Sequence, residues 1–351
     1  MANASDFLIG ANDEHGLNPP TLGKRSPILP YINRSFYENE FNKEAKNYFI
    51  EACLRTGFRV YDVKPEINDI SISTRIVRIR RQNLTLLVTF AYNASGSGLT
   101  LNSGQGFEIF YSTRNPNPTR SRQLSENIYN RIVQNTDRKG RGVNTLNVSV
   151  LSSVNCPSTL IEAGFMTNFF EAKLMLDPDY ALAIGESACQ GVCDFLGVTF
   201  VTRDNLANYS TLRTGSEGNQ VVLLQYLLNS YGYDLVADGD FGNKTFSAVT
   251  NFQNNNNLTA DGIVGKNTWS VLLNLNPISK VLRQGDRSSG VLYLQRKLLS
   301  KLYPITSLDG VFGPETQRAV VAFQTENGLT PDGIVGRNTW SKVSQIGGGR
   351  T

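Results

Sequence analysis

Two hydrophobic periodicities divide the chain near residue 200: short apolar runs of strand length alternate with helical spacing before it, and helical spacing dominates and repeats after it. Residues 6–12, Asp-Phe-Leu-Ile-Gly-Ala-Asn, read as a buried strand. A loop carrying Pro19, Pro20, Pro27 and Pro30 follows, and those prolines exclude helix interior. From Glu38 the positions Phe41, Ala45, Tyr48, Phe49 and Ala52 share one helical face, and Gly57 supplies the stop. Strands are predicted at 58–63, 84–92, 106–112, 148–154 and 159–162, with helices around Leu124, Ile128 and Ile132 and over 179–196. Strands alternating with helices predict an α/β domain over 1–201, a mixed, mostly parallel sheet with helices on both faces. Sites in such sheets collect at the carboxyl ends of strands, where His15, Ala91 and Glu162 fall.

Residues 202–211 are polar and unpatterned, and read as a linker. Beyond them the chain repeats itself. Leu212-Arg-Thr-Gly215 matches Leu282-Arg-Gln-Gly285, and Asp238-Gly-Asp-Phe-Gly242 matches Asp309-Gly-Val-Phe-Gly313. Asp261-Gly-Ile-Val-Gly-Lys-Asn-Thr-Trp269 matches Asp332-Gly-Ile-Val-Gly-Arg-Asn-Thr-Trp340. The expected products are two small all-α three-helix domains, 212–276 and 277–346, with a tail at 347–351. Phe241, Phe252 and Trp269 are assigned to the core of the first copy. Duplication favours binding, because two weak sites on one polymer gain by effective concentration.

At 351 residues and 40% hydrophobic content the chain can bury a sizeable core. A net charge of +4 suits an anionic polymer without requiring nucleic acid. The basic run 75–81 alternates with apolar residues and reads as a solvated edge with its apolar side packed. Cys53, Cys156, Cys189 and Cys193 sit in apolar or helical patterns, so reduced and buried thiols are expected, the last two on one helix face. The start has no basic and apolar signal segment, and no run reaches the length of a membrane span. A single histidine excludes any site built from two imidazoles of this chain.

Four stretches carry candidate chemistry: Asp13-Glu14-His15-Gly16, Glu38-Asn39-Glu40-Phe41-Asn42, Thr89-Phe90-Ala91-Tyr92-Asn93-Ala94-Ser95, and Leu160-Ile161-Glu162-Ala163-Gly164-Phe165-Met166-Thr167-Asn168. Residues 212–273 and 282–343 closely resemble the peptidoglycan-binding domain type 1. Residues 5–200 resemble, more loosely, the zinc-dependent N-acetylmuramoyl-L-alanine amidases of autolysins and endolysins. That resemblance implies His15 and Glu38 as zinc ligands, with Glu40 as the alternative to Glu38, and Glu162 as the catalytic carboxylate. Aligning Asn93-Ala94 with the family's Asn-Ala places Ala91 at the third ligand position, where it offers no donor. Asp13 and Tyr92 are the conceivable stand-ins, and Asn93 and Asn168 the candidate substrate contacts.

In the family three protein ligands leave a fourth position for water, whose pKa the metal lowers toward ~7. The carboxylate then moves the water's proton to the departing amine. The resemblance therefore implies a cell-wall lytic amidase with peptidoglycan as partner, in which zinc binding is weak or absent and hydrolysis of the muramoyl–L-alanine amide is impaired. The alternative is a non-catalytic wall-binding or assembly protein that keeps the fold. Either is expected to be made in the cytoplasm and to reach the wall after release by a holin, by cell lysis or on a particle.

Overall fold

The central strands are continuous apolar runs because both of their faces are covered. The computed structural model describes residues 2–16, 25–66, 68–273 and 281–347, and the chain divides into units 1–200 and 201–351. The first unit holds six strands: β1 (Leu8–Asp13), β2 (Arg59–Asp62), β3 (Leu86–Asn93), β4 (Phe107–Tyr111), β5 (Gly140–Thr145) and β6 (Ser158–Phe165). Their order is β2-β1-β3-β6-β4-β5, parallel throughout except where β4 runs antiparallel to β6. Helices α1 (Glu38–Thr56), α3 (Pro118–Asn135) and α6 (Pro178–Leu196) pack together, and Phe49 of α1 meets Phe90 of β3. On the opposite face, Leu87 and Ala91 join Ile79 of α2 (Ile72–Arg80) and Leu151 of α4 (Ser149–Ser152). A short α5 (Phe169–Leu174) follows β6. A Cβ on Gly185 would come within 2.7 Å of the Ala45 carbonyl oxygen, so that glycine sets how closely α6 can lie on α1.

Three local expectations change. The stretch 148–154 is no strand: Val150, Leu151 and Val154 are spaced for one helical turn and pack with Ile79 and Leu160. Strand β5 takes the edge instead, and its Gly-Arg-Gly-Val-Asn-Thr sequence lacks the apolar alternation that would have announced it. The basic run is a helix, and Arg75 within it is only 1% exposed, so it is not part of a solvated edge. Pro19 and Pro20 lie outside the described residues. All four cysteines are free and buried, with the Cys53 and Cys189 sulfurs 3.6 Å apart across α1 and α6. Among the described residues no helix is long and apolar enough to cross a membrane.

The carboxyl end of β1 is fixed by buried charge. Asp13, fully buried, lies 2.7 Å from the Lys46 ammonium of α1 and 3.0 Å from that of Lys64 beyond β2, both also fully buried. Lys46 also bonds Asp62 at 2.8 Å. Burial works against the Lys46 ammonium, but Asp62 and Asp13 outweigh it and raise its pKa. Asn39 of α1 donates to Asp13 at 2.8 Å and to the His15 carbonyl at 2.9 Å. Thus β1, α1 and the segment after β2 converge on one carboxylate.

The second unit is more repetitive than its sequence suggests. Helices α7 (Asn219–Ser230), α8 (Asn243–Asn255) and α9 (Lys266–Leu272) form the first repeat, and α10 (Ser289–Ser300), α11 (Pro314–Glu326) and α12 (Arg337–Val343) the second. Phe241, Phe252 and Trp269, with Phe312, Phe323 and Trp340, are core residues as expected. Each repeat contains two copies of one turn pinned by a buried glutamine. The Gln225 amide donates to Asp238, the Asp240 carbonyl and Thr245, and its oxygen accepts from Gly239 N. Gln253 does the same with Asp261, the Ile263 carbonyl, Thr268 and Gly262 N. Gln295 and Gln324 repeat the pattern at Asp309 and Asp332. The glycine after each aspartate has positive φ, 84° at Gly239 and 71° at Gly262, which a side chain would strain. Part of the expected linker packs on this unit: the Tyr209 ring lies tilted against Trp269, centroids 5.1 Å apart, and Gln220 bonds the backbone of Asn208 and Ser210. The two repeats are joined where Ser289 donates through N and Oγ to Asn256.

Both tryptophans of the chain, Trp269 and Trp340, lie in the second unit, so their fluorescence follows that unit alone. Replacing Asp13→Ala leaves two ammoniums without their shared counter-charge and is expected to cost about 3–5 kcal/mol. In urea the far-UV circular dichroism transition moves to lower denaturant while the tryptophan transition stays; coincident, unmoved transitions would refute this. Conversely Gln253→Ala strands the Gly262 N–H and is expected to cost about 1–3 kcal/mol in the tryptophan transition. Backbone N–H groups of Asp240 and Ile334, then the glutamine amides, hold Asp238 and Asp332 below the usual 3.8. Because the folded values are depressed, their contribution is present above about pH 3.8 and is lost as the pH falls. Acid titration of tryptophan fluorescence should show that loss, reduced in the Asp238→Asn, Asp332→Asn double variant.

Candidate active site

The end of β1 and the first turn of α1 bring His15 and Glu38 together, and the β3–β6 ladder sets Glu162 opposite Ala91. Glu38 opens α1 and is 3% exposed. Its Oε1 accepts from Asn42 Nδ2 at 2.9 Å, one helical turn on, and from Tyr92 N at 3.0 Å. Tyr92 N is available because it faces β1, whose ladder with β3 ends one step earlier, where Glu14 N donates to the Phe90 carbonyl. Glu38 therefore sits against the peptide that follows Ala91. Its Oε2 lies 3.7 Å from His15 Nε2, on the turn after β1.

Ala91 is 3% exposed and lies opposite Glu162 in the β3–β6 ladder. Glu162 in turn lies opposite Glu108 of β4. A row of Ala91, Glu162 and Glu108 thus crosses three adjacent strands, and it begins one residue before the Tyr92 amide that Glu38 accepts. Glu108 escaped the sequence reading because β4 joins β6 antiparallel and out of chain order, which no local pattern reveals. Its Oε1 accepts from Asn93 Nδ2 at 2.9 Å and its Oε2 from Asn144 at 3.3 Å.

The other candidates are engaged elsewhere. Glu40 is clamped by Arg34 at 2.9 and 3.1 Å and accepts from Tyr37 N at 3.4 Å. Burial raises the Glu40 pKa, opposed by Arg34. Asp13 is held by Lys46 and Lys64, and the buried Tyr92 hydroxyl donates to the Glu171 carbonyl at 2.8 Å. Neither side chain is placed to stand in for position 91. Asn168 caps α5, accepting from Phe170 N and Glu171 N at 2.9 and 3.2 Å. Asn93, besides bonding Glu108, accepts from Ala94 N at 2.7 Å. Both asparagines therefore have structural work at the rim of the site.

Glu171 is a second anchor that sequence reasoning missed. It is 2% exposed, pairs with Arg138, and accepts from Gly106 N at 2.6 Å and Phe165 N at 2.8 Å. Burial raises its pKa against those contacts. It ties the start of β4 to the end of β6, the two strands that carry Glu108 and Glu162. For a metal the donor set is short. Among the described residues no group of three His, Cys, Asp or Glu side chains is gathered to hold an ion. His15 and Glu38 supply two donors and Ala91 none, so the residues present do not fit a three-donor zinc site.

Residues 16–194 match the family model described as N-acetylmuramoyl-L-alanine amidase, a match over half of the chain that begins immediately after His15. Residues 217–272 and 287–343 match the peptidoglycan binding domain model. The chain is 31% identical over 163 residues to the N-acetylmuramoyl-L-alanine amidase CwlL of Bacillus licheniformis, covering 38% of this chain and 45% of that protein. It is 39% identical over 72 residues to the zinc D-Ala-D-Ala carboxypeptidase of Streptomyces albus G, covering 19% of this chain and 28% of that protein. The chain thus spans less than half the length of these two relatives. Among solved structures, the N-acetylmuramoyl-L-alanine amidase of Clostridium difficile 630 aligns with a TM-score of 0.48 at 24% identity, covering 56% of this chain and 98% of that one. On the match of its first unit, the chain belongs to the N-acetylmuramoyl-L-alanine amidase family.

Proposed function

We propose that this protein is a peptidoglycan-directed amidase whose hydrolytic centre is disabled at position 91. One observation carries the reading: Ala91 stands opposite Glu162, its following amide is bonded to Glu38, and it brings no donor atom. The family's reaction is hydrolysis of the amide between the muramoyl lactyl group and the first L-alanine. The chain's own residues retain two parts of that apparatus: the His15–Glu38 pair, 3.7 Å apart, and Glu162, the ladder partner of Ala91. The two C-terminal repeats supply attachment to the wall polymer, and their duplication raises avidity through effective concentration. With two donors instead of three, zinc retention falls and hydrolysis with it. The second reading, a wall-binding protein that keeps the fold for recognition alone, draws on the same Ala91. The site of action in either case is the bacterial cell wall.

The test compares the chain with its Ala91→His variant for zinc content, amide cleavage of purified peptidoglycan and sedimentation with it. The chain as written is expected to sediment with peptidoglycan, to carry no stoichiometric zinc and to leave the amide intact. The variant is expected to gain one zinc and to release stem peptides. Cleavage by the unaltered chain would overturn the proposal. A variant that sediments but gains neither zinc nor cleavage would leave the binding-protein reading in its place.

A further inference from the structure

Between the two C-terminal repeats the buried framework recurs, but the exposed face of α8 does not. Every exposed residue of α8 differs from its counterpart in α11; Phe246, Ser247 and Asn251, for example, become Gln317, Arg318 and Ala322. The exposed surface of the turn that follows behaves differently. Thr259, Ile263 and Asn267 recur as Thr330, Ile334 and Asn338, and Lys266 recurs as Arg337. In the first repeat these four residues line a surface cavity of about 280 Å³ at the second glutamine-pinned turn. We propose that this cavity, and the same residues at the fourth turn, are the wall-binding subsites of the repeats, each taking a carboxylate and a neighbouring short apolar side chain of the peptidoglycan stem peptide. This rests on reading the repeats as the wall-attaching part of the chain, and adds to it the residues and the ligand chemistry.

The turn itself does not require these four side chains. Its glutamine, aspartate and threonine pin it, and they do so in all four copies. At the first turn the positions equivalent to Ile263, Lys266 and Asn267 hold Asp240, Asn243 and Lys244, and at the third they hold Val311, Pro314 and Glu315. Neither the apolar residue nor the charge is kept between those two turns, although they have the same framework. Exposed substitutions away from core and caps change stability little, so recurrence at the second and fourth turns points to something bound there. The side chains are also available. Among the described residues neither Lys266 nor Arg337 is ion-paired, and the side chains of Thr259, Asn267, Thr330 and Asn338 make no hydrogen bond. Helix α9 has only 7 residues, so recognition is assigned to these side chains and not to the helix end.

The lining selects the ligand. A positive charge is kept while its carrier changes from ammonium to guanidinium, which fits recognition of an anion by charge and not by a fixed bidentate fork. Ile263 and Ile334, 40% and 41% exposed, place an apolar surface next to that charge. The asparagine amide and threonine hydroxyl donate and accept as a peptide backbone demands. Sugar rings are held against exposed aromatic faces, and no aromatic residue lines this cavity. Its volume also falls just below the ~300–1,000 Å³ of sites that enclose a whole small molecule, which suits a short piece of peptide. Carboxylates occur in two parts of the polymer, the stem peptide and the lactyl group of glycan stripped of its peptide; the aromatic-free lining favours the first.

Two measurements on the full chain test this. In sedimentation with purified peptidoglycan, Lys266→Gln and Arg337→Gln are each expected to weaken binding about tenfold and the double variant about 100-fold, because the two sites act through effective concentration. The double variant Lys244→Gln, Arg287→Gln removes the same charge from exposed positions at the first and third turns and is expected to leave binding unchanged. An unmoved tryptophan unfolding transition shows that each variant is folded. Equal weakening by both double variants assigns the effect to general attraction for an anionic wall and overturns the proposal, as does undiminished binding by Lys266→Gln, Arg337→Gln. An unaltered chain that does not sediment overturns the wall-attachment reading itself, and the proposal with it. In 15N-labelled protein, stem peptides released from the same peptidoglycan are expected to shift the side-chain amide signals of Asn267 and Asn338, while peptide-free glycan strands leave them in place. The reverse response assigns the carboxylate to the glycan lactyl group and overturns the stem-peptide assignment.

Discussion

The Asp13 carboxylate, fully buried between the ammoniums of Lys46 and Lys64, is the constraint on which the active-site corner depends. None of the three charges can be left in the interior alone, so the end of β1, the middle of α1 and the segment after β2 are obliged to meet. Arg75 adds α2 to the same corner through the Asp13 carbonyl, and Asn39 adds the first turn of α1. His15 follows Asp13 by two residues and Glu38 precedes Asn39 by one, so their 3.7 Å approach is a consequence of that closure. The corner is costly to build and is complete, whereas the position it serves on β3 carries a methyl group.

That contrast gives the functional reading its content. Glu38 is oriented by Asn42 and by the Tyr92 amide, and Glu162 faces Ala91 across the ladder with Glu108 beyond it. The candidate substitutes for position 91 are occupied, Asp13 by lysines and the Tyr92 hydroxyl by the Glu171 carbonyl. On the proposed assignment, a single side chain separates His15 and Glu38 from a three-donor set.

Much of this was legible in the sequence, for identifiable reasons. His15, Glu38 and Glu162 lie at strand ends or in a helix's first turn, where short motifs and topology agree. The buried run of β3 and the spacing of α1 are equally local signals. Glu108 and Arg75 were not legible, because each acquires its role from a partner set by tertiary closure: β4 against β6 out of order, and a guanidinium drawn inward by buried acceptors. Position 148–154 misled because its four apolar residues, Val148, Val150, Leu151 and Val154, suit either a strand or one helical turn, and β5 hid because an edge strand needs no apolar face. In the second unit the twofold repeat was plain, but the fourfold turn beneath it was not. Its signature, a glutamine distant from an Asp-Gly pair and a threonine, emerges only when Gln225, Gln253, Gln295 and Gln324 are seen making the same four bonds.

The most direct measurement is zinc-edge anomalous scattering from crystals of the Ala91→His variant and of the unaltered chain, each soaked in zinc. The account predicts, in the variant alone, one strong peak at about 2.0–2.2 Å from His15 Nε2, a Glu38 oxygen and the introduced imidazole. A peak at another cluster, or an ordered zinc on His15 and Glu38 of the unaltered chain at equal occupancy, would contradict the claim that Ala91 is what disables the centre.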